Sequence, residues 1–355
     1  MTDLNFPHII YKDGASFKEW GLHHGKSFKG AIAELAAIRK DLMLKKNPSL
    51  KSKLSELAME QFNCTKLFAP HLAQELEGIA QGAEVDLVDI VILNNYTDFR
   101  DIELPEEGCS TIHLHSQNQQ VSGQTWDMHQ SAKNYLCTIE IPASKEGPKM
   151  HVLSLVGCLG LMGVSDTGLF IGVNNINTEN ARAGLIWPAL VRRTLEHPCF
   201  NSMRETLVNA PVTSGHNYLI SSVGQSEHWE IAPSAKAMVG KTNDSSLGKT
   251  FHTNHCLGDE LKLIEQKTAQ SSTTFNRYSL LEKKIGQCET YEDLINLLGD
   301  HDGHPKSICS HFASGAQDPS MTCGGGVYDH LTKRLFFWRG CKVYDDNYEE
   351  RELTF

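Results

Sequence analysis

The chain has 355 residues, of which 40% are hydrophobic and 21% are charged, a balance typical of globular rather than disordered proteins. The formal net charge of −10 argues against a general nucleic-acid binder, because such a protein needs a basic face to displace counterions from phosphates. The N-terminus has no apolar segment preceded by positive charge, and no stretch reaches the roughly 18 uninterrupted apolar residues of a membrane span, so we expect a cytoplasmic protein without membrane contacts.

The first hundred residues are predicted to be mainly helical. Ser16 and Glu19 have the spacing of a capping box, in which a hydroxyl and a later carboxylate close the start of a helix. Between Ile32 and Leu42, apolar residues recur at helical spacing. Further helices are expected at about residues 51–68, 71–82 and 86–99.

The character of the sequence changes near Pro105. From Cys109 onward short strands are predicted, because β-branched residues alternate with other types and glycines separate the runs. The expected strands cover residues 109–115, 120–126, 136–141, 151–156, 168–173, 217–223, 228–231, 325–329 and 334–338. Helical spacing returns at residues 186–195, 202–207, 259–267, 274–285 and 291–298, and turn residues dominate 240–248. Helices followed by strands and hairpins favour an α+β layered fold over a doubly wound sheet.

The ten cysteines are scattered along the chain, and none forms a CxxC pair. We expect most of them to be buried free thiols in a reducing compartment. Cys109 has a different context, because it follows Gly108 where an acidic, linker-like stretch, residues 100–108, meets the first predicted strand.

The pair Gly108–Cys109 has the chemistry of a self-cleavage site. Glycine leaves the carbonyl before the cysteine open to attack by the thiol, and it tolerates the strained backbone that such an attack needs. Cleavage there would give Cys109 a free α-amino group, whose ordinary pKa of about 8 suits a general base near neutral pH. One residue would then supply both nucleophile and base, without a catalytic histidine.

Two further clusters carry polar groups. Asp127 follows at the end of the next predicted strand, and a hairpin would bring it close to Cys109. Its carboxylate would then either bind the charged α-amine or have a structural role. In His252-Thr-Asn-His255, the amide of Asn254 is able to stabilise an oxyanion, although a polar turn explains it equally well. The two histidines have no third ligand marked nearby, so we predict no metal and no cofactor.

A series of short motifs runs through most of the chain. They are Phe17-Lys-Glu-Trp-Gly21 with His24-Gly25, Glu75-Leu-Glu-Gly-Ile-Ala80 with Gly82-Ala83, Ile90-Val-Ile-Leu-Asn94, Gly108-Cys109, Gly123-Gln124 with Trp126-Asp127, His252-Thr-Asn-His255 and Val327-Tyr-Asp-His330. Their order and separations resemble those of the acyl-coenzyme A:6-aminopenicillanic acid acyltransferase family of N-terminal-nucleophile (Ntn) cysteine hydrolases. Each motif alone indicates little, and together they indicate this family.

The resemblance implies a four-layer αββα sandwich with an N-terminal helical segment, formed as a single domain over residues 1–355. It also implies self-cleavage by an N-to-S acyl shift into Met1–Gly108 and Cys109–Phe355, which stay associated. In that scheme Cys109 is the nucleophile, Asp127 supports the α-amine and Asn254 helps to hold the oxyanion. Residues considered as possible substrate contacts are Thr125, Trp126, Asn174, Asn175 and His252.

Two departures from the family pattern concern the substrate. Thr125 replaces an asparagine of the motif that contains Asp127. The arginine that a well-known member carries shortly before the motif at Val327 is absent from the stretch Gln317–Cys323. Penicillin chemistry is therefore not assumed.

The sequence predicts a self-processing cysteine amidohydrolase or acyltransferase that acts on a small amide or an acyl thioester through an acyl-enzyme on Cys109. Two alternatives remain open. One is a non-catalytic, uncleaved protein of the same fold that binds ligands. The other is a conventional Cys–His thiol hydrolase, which needs His252 or His255 beside Cys109.

Overall fold

A computed structural model of the protein describes residues 5–46, 48–96, 98, 108–179, 181–266, 272–311 and 320–355. The helices are α1 Phe17–Ser27, α2 Lys29–Lys46, α3 Leu54–Phe68, α4 Pro70–Ala83, α5 Leu87–Asn94, α6 Gln130–Lys133, α7 Trp187–Leu195, α8 Phe200–Val208, α9 Asp259–Lys262, α10 Thr274–Lys284 and α11 Tyr291–Leu298. The strands are β1 His8–Ile10, β2 Cys109–His115, β3 Gln120–His129, β4 Leu136–Ile141, β5 Met150–Leu155, β6 Met162–Ser165, β7 Phe170–Asn175, β8 His216–Ser222, β9 Gln225–Ile231, β10 Lys236–Asn243, β11 Gly248–His252, β12 Ser320–Asp329, β13 Arg334–Arg339 and β14 Glu349–Thr354. None of the described helices is both long and apolar enough to cross a membrane.

The α+β class and the N-terminal helical segment are confirmed, since α1–α5 precede β2 and the strands form two sheets. Strands β2 and β4 have the predicted bounds. The capping box is also present, because Ser16 Oγ accepts from the amide of Glu19, whose carboxylate accepts from the amide of Ser16. The predicted helix at 86–99 is shorter than expected, and Phe99 lies outside the described residues.

The chain divides into two compact units, each assembled from separate stretches of sequence. Unit 1 contains Met1–Leu104, Asn134–Ser165 and Asn180–Ser214, and unit 2 contains Pro105–Lys133, Asp166–Glu179 and Gly215–Phe355. These stretches do not coincide with the predicted cleavage products, and the single domain expected from the sequence stays a prediction.

Unit 1 has a fully buried ion pair between Glu75 on α4 and Arg192 on α7. Arg192 donates from Nη1 to Oε1 at 3.1 Å and from Nη2 to Oε2 at 3.2 Å, while the Tyr11 hydroxyl donates to Oε1 at 2.8 Å. Because both Glu75 oxygens and both terminal nitrogens of the Arg192 guanidinium are hydrogen-bonded, much of the cost of removing the two charges from water is offset. The pair belongs to the framework of this unit.

Within unit 1, α1 and α4 pack backbone against backbone at four glycines, two on each helix. A Cβ atom built on Gly21 would lie 2.0 Å from Glu75 O, and one on Gly25 would lie 2.3 Å from Ile79 O. On the facing helix, a Cβ on Gly78 would lie 2.3 Å from Lys18 O, and one on Gly82 would lie 2.4 Å from Leu22 O. No side chain fits in such a crossing, so the glycines of the first two sequence motifs have a packing role.

We expect Gly82→Ala to destabilise unit 1 by about 3 kcal/mol, because the methyl group would force two helix backbones apart. The measurement is the free energy of unfolding from urea titration followed by far-UV circular dichroism. Gly30→Ala on α2 is the matched control, since nothing lies within 4 Å of the Cβ that it would add. Its effect should stay below about 1 kcal/mol, and an equally small effect for Gly82→Ala would contradict the close packing.

Unit 2 holds a six-stranded sheet with the order β11-β2-β3-β12-β13-β14, and strands β7-β8-β9-β10 lie side by side in the other sheet. Gln124 on β3 joins the two sheets within this unit. Its Oε1 accepts from Val173 N at 2.7 Å, and its Nε2 donates to Val173 O at 2.8 Å. A buried core between the six-stranded sheet and the helices α10 and α11 contains Ile112, Val121, Leu281, Leu294 and Val327.

The predicted hairpin between β12 and β13 is present. Asp329 Oδ1 accepts from the amides of Leu331 and Thr332, which closes the turn. His330 Nε2 lies 3.0 Å from Ser122 Oγ, so the last sequence motif builds a turn and anchors it to β3.

Candidate active site

Cys109 is the first residue of β2, and it is buried with 7% of its surface exposed. In the antiparallel pairing of β2 with β3, Cys109 lies opposite Trp126. The hydrogen-bond ladder continues one step before the strand, because the amide of Asp127 donates to Gly108 O at 2.8 Å. The carbonyl of the predicted cleavage site is therefore already bound to an N–H donor.

The loop after β11 meets the same peptide bond from its other side. β11 pairs antiparallel with β2 so that His252 lies opposite Thr111, and the chain leaving β11 therefore passes Cys109. Asn254 Oδ1 accepts from Cys109 N at 2.7 Å, and Asn254 Nδ2 donates to Asn175 O at 2.8 Å. Both polar groups of the peptide bond between Gly108 and Cys109 thus have fixed partners.

A buried guanidinium from α10 completes the network. Arg277 Nη1 donates to Cys109 O at 2.6 Å and to Ser110 Oγ at 3.0 Å, and Nη2 donates to Asn254 Oδ1 at 2.7 Å. Its Nε donates to Thr273 Oγ1 at 3.0 Å and lies 3.8 Å from Asp127 Oδ2. Arg277 was not predicted from the sequence, and it brings a buried positive charge close to Cys109 and Asp127.

Asp127 is 2% exposed, and burial raises the pKa of its carboxyl group to about 6, although the charge of Arg277 and the hydroxyl of Thr322 lower it. Thr322 on β12 donates to Asp127 Oδ1 at 2.7 Å. Asp127 Oδ2 is buried and makes no hydrogen bond within the described part of the chain. A carboxylate oxygen with unused acceptor capacity therefore lies beside the Gly108–Cys109 bond.

A side chain at residue 108 would collide with two buried groups. A Cβ atom added there would lie 2.5 Å from Arg277 Nη2 and 2.7 Å from Asp127 Oδ2. Glycine therefore lets both side chains keep these positions, and it also has the backbone freedom expected from the sequence.

The thiol of Cys109 is not activated in the uncleaved chain. Burial raises its pKa to about 12, and the negative charge of Asp127 contributes to this rise. At neutral pH the sulfur therefore carries its proton, and nucleophilic attack needs a base that removes it.

The residues considered as substrate contacts fall into two groups. Thr125 and Trp126 are buried on β3, where Thr125 Oγ1 accepts from Ser110 N at 3.0 Å. Asn174 is fully buried, and its Oδ1 accepts from the Thr111 hydroxyl at 2.6 Å.

The remaining two differ in exposure. Asn175 is half-buried and supplies the carbonyl that accepts from Asn254. His252 is fully buried, and its two ring nitrogens contact Thr253 O at 2.6 Å and Glu230 Oε1 at 2.7 Å. Both nitrogens of His252 are therefore occupied away from Cys109, while His255 Nδ1 lies 3.0 Å from Thr274 Oγ1.

A sequence profile of the acyl-coenzyme A:6-aminopenicillanic acid acyl-transferase family matches residues 114–334, more than half of the chain. The chain belongs to this family. The matched range contains Asp127, Asn254 and Arg277 and begins after Cys109. The resemblance expected from the sequence motifs is therefore confirmed.

Individual members and solved structures are also similar. The 40 kDa form of acyl-coenzyme A:6-aminopenicillanic-acid-acyltransferase from Emericella nidulans is 26% identical over 322 residues, covering 89% of this chain and 88% of that protein. Beta-alanyl-dopamine/carcinine hydrolase from Drosophila melanogaster is 23% identical over 383 aligned positions, covering 97% of this chain and 94% of that protein. The solved structure of a Caenorhabditis elegans ortholog of N-acylethanolamine-hydrolyzing acid amidase is 12% identical with a TM-score of 0.40, covering 62% of this chain and 92% of that chain.

Proposed function

We propose that this acyl-transferase family member is a self-processing enzyme that cleaves the bond between Gly108 and Cys109 and then uses Cys109 as an N-terminal nucleophile. The observation that carries the proposal is the pair of hydrogen bonds on this peptide, from Asp127 N to Gly108 O and from Cys109 N to Asn254 Oδ1. A peptide held on both sides is oriented for attack on its carbonyl carbon, which lowers the entropic part of the barrier.

In the cleavage step, Cys109 Sγ attacks the carbonyl carbon of Gly108, and the negative charge that develops on Gly108 O is stabilised by the Asp127 amide. The bond from that carbon to Cys109 N then breaks, and the thiol proton ends on the departing nitrogen. The product is a thioester between Gly108 and Cys109 Sγ. Water hydrolyses it to the free carboxylate of Gly108 and regenerates the thiol.

After cleavage, the new α-amine of Cys109 takes the proton of the neighbouring thiol. Its ordinary pKa of about 8 makes it a base that the intact peptide nitrogen is not. Asn254 Oδ1 and Asp127 Oδ2, which accepts no hydrogen bond within the described residues, are the acceptors proposed to orient this amine. The Asn254 side chain has two N–H bonds, of which one is directed at Asn175 O, and the other is proposed to help hold the substrate oxyanion.

The proposed substrate is a small amide or an acyl thioester whose acyl group passes to Cys109. The names of the two curated relatives describe acyl transfer to an amine and hydrolysis of β-alanyl amines, and both reactions exchange an acyl group with an amine nitrogen. Water as the acceptor gives a hydrolase, and an amine as the acceptor gives an acyltransferase. The cytoplasmic location expected from the sequence is part of this proposal.

The test is to trap the acyl-enzyme. Purified protein is mixed with a panel of N-acyl amines and an acyl thioester, quenched in acid, digested and analysed by mass spectrometry. We expect two fragments that meet at Gly108 and Cys109, and an acyl mass on the peptide that begins with Cys109. A chain that stays intact and never gains an acyl group would favour the non-catalytic binding protein. Acylation of an intact chain would favour the Cys–His alternative.

A further inference from the structure

Four side chains of unit 2 that the proposed function does not use converge on one point. They are His301, Cys309, His311 and Cys341, and the nitrogen or sulfur atoms that they offer all lie within 4.8 Å of one another. Both cysteines are buried and both histidines are half-buried. We call this set the Cys2His2 cluster.

The distances within the Cys2His2 cluster match those of a tetrahedral metal site. Nε2 of His301 lies 3.3 Å from Nε2 of His311, Cys309 Sγ lies 3.5 Å from His311 Nε2, and Cys341 Sγ lies 3.2 Å from His301 Nε2. A tetrahedral zinc ion with bonds of about 2.0 Å to nitrogen and about 2.3 Å to sulfur separates two nitrogens by about 3.3 Å and a nitrogen from a sulfur by about 3.5 Å.

Hydrogen bonding within the cluster is a poorer explanation of this arrangement. Two neutral imidazoles that face each other through Nε2 share one proton at most, and a thiol is a weak donor and a weak acceptor. Two thiolates and two imidazoles around a common centre are instead the ligand set that zinc takes in closed structural sites.

The surroundings of the ligands are also ordered. The amide of Cys341 donates to Asp345 Oδ2 at 2.8 Å, and Lys133 holds the other oxygen of that carboxylate at 2.8 Å. The ring of Tyr344 packs against both imidazoles, with centroids 5.0 Å from His301 and 4.9 Å from His311. Such outer contacts fix the orientation of metal ligands.

We propose that His301, Cys309, His311 and Cys341 bind one zinc ion in a closed, structural site of unit 2. Binding releases the two thiol protons to solvent and leaves a site without net charge, because two thiolates balance the ion. No vacant coordination position remains for water, so the site stabilises structure and does not itself catalyse.

The proposed zinc site is linked to the candidate active site through two residues, Ser310 and Thr322. Ser310, which lies between two ligands, pairs with Thr322 in both directions, because Ser310 N donates to Thr322 Oγ1 at 2.8 Å and Thr322 N donates to Ser310 O at 2.8 Å. Thr322 in turn donates to Asp127 Oδ1. The zinc ion would therefore hold the loop that supports Asp127.

The first experiment measures metal in untagged full-length protein purified under reducing conditions without chelators. Inductively coupled plasma mass spectrometry is expected to find about one zinc ion per chain. Replacing the zinc with Co²⁺ should give the absorption bands of tetrahedral thiolate coordination. Cys309→Ser is expected to lower the zinc content at least about fivefold. Cys341→His keeps four ligands and should retain zinc, which guards against a variant that merely fails to fold.

Two matched controls are available in the same unit. Cys288→Ser removes a buried thiol outside the cluster, and His304→Ala removes a neighbouring imidazole, so both should keep the zinc of the wild type. A zinc-free protein that also fails to bind Co²⁺, an unchanged zinc content in Cys309→Ser, or a Cys309–Cys341 disulfide in place of metal would overturn the proposal. These readouts do not depend on cleavage or acyl transfer, so failure of the proposed function would leave them interpretable.

Discussion

The Cys109→Ala chain is expected to remain uncleaved and to release no acyl group from any amide or thioester in the panel. Without Sγ there is no atom that attacks the Gly108 carbonyl, and without cleavage no α-amine forms at residue 109. We expect acyl release to fall by at least about 10⁴-fold, the usual cost of removing a catalytic nucleophile. Intact-mass measurement follows cleavage, and chromatography of the released acid or acylated amine follows turnover.

Two variants control this experiment. Cys323→Ser changes another buried cysteine of the same sheet and should cleave and turn over as the wild type does. Cys109→Ser keeps a nucleophilic oxygen and should cleave slowly, since a hydroxyl is the weaker nucleophile. If the Cys109→Ala protein released acyl groups at the wild-type rate, Cys109 would not be the nucleophile.

Replacing Arg277 with methionine is expected to lower acyl release by about 100-fold, although this side chain does not contact the reacting carbonyl. We expect Arg277 to act as a positioning residue, because its guanidinium donates to Cys109 O and Asn254 Oδ1 and lies 3.8 Å from the carboxylate of Asp127. Its charge also lowers the pKa of Asp127, which burial has raised to about 6. Without that charge the pKa rises further, so the acid limb of the pH–rate profile should move to higher pH.

The pH profile separates this role from a loss of stability. Arg277→Lys keeps the charge and should hold the acid limb near its wild-type position, while part of the rate is lost with the bidentate fork. Arg192→Met is the matched control, because Arg192 is equally buried and is also paired with a buried carboxylate, that of Glu75. It should lower stability and leave the acid limb in place. If the acid limb of the pH–rate profile stays at the wild-type position in Arg277→Met, Arg277 does not act through its charge on Asp127.

The sequence was sufficient for the parts of the site that lie in strands and short motifs. The proximity of Cys109 and Asp127 is predictable, because Cys109 begins β2 and Asp127 lies in the partner strand β3 next to Trp126, the residue opposite Cys109. Arg277 was not predictable. It sits within the amphipathic sequence of α10, where nothing distinguishes a guanidinium directed at the site from one in solvent, and only tertiary packing decides that.

Two of the strands that were not predicted, β10 and β14, have a similar physical cause. β10 begins before the stretch 240–248 that reads as turns, it carries few apolar residues, and most of its residues are half-buried or exposed. β14 alternates half-buried with exposed residues at the edge of the six-stranded sheet, and charged residues occupy both sets. Edge strands with one solvated face have a weak hydrophobic pattern. The extended conformation of β10 and β14 therefore depends on pairing with β9 and β13 more than on their own composition.

The Cys2His2 cluster had no signal in the sequence, for a related reason. Zinc sites are recognised in sequences by close pairs such as CxxC, and no such pair exists here. In the folded chain, the loop after α11 contributes His301, Cys309 and His311, while Cys341 comes from the turn after β13. A ligand set spread over two segments is visible only after β12 and β13 have paired.

The contact between Gly108 and its surroundings has a kinetic consequence. Under the proposed cleavage, the first acyl group that Cys109 accepts is part of its own polypeptide, so maturation is a first-order event that does not depend on protein concentration. That group is tethered at an effective molarity that no free substrate reaches. Because a Cβ at residue 108 would lie 2.5 Å from Arg277 Nη2 and 2.7 Å from Asp127 Oδ2, this first acyl group is also one that needs little space beside its carbonyl, since its α-carbon carries no side chain.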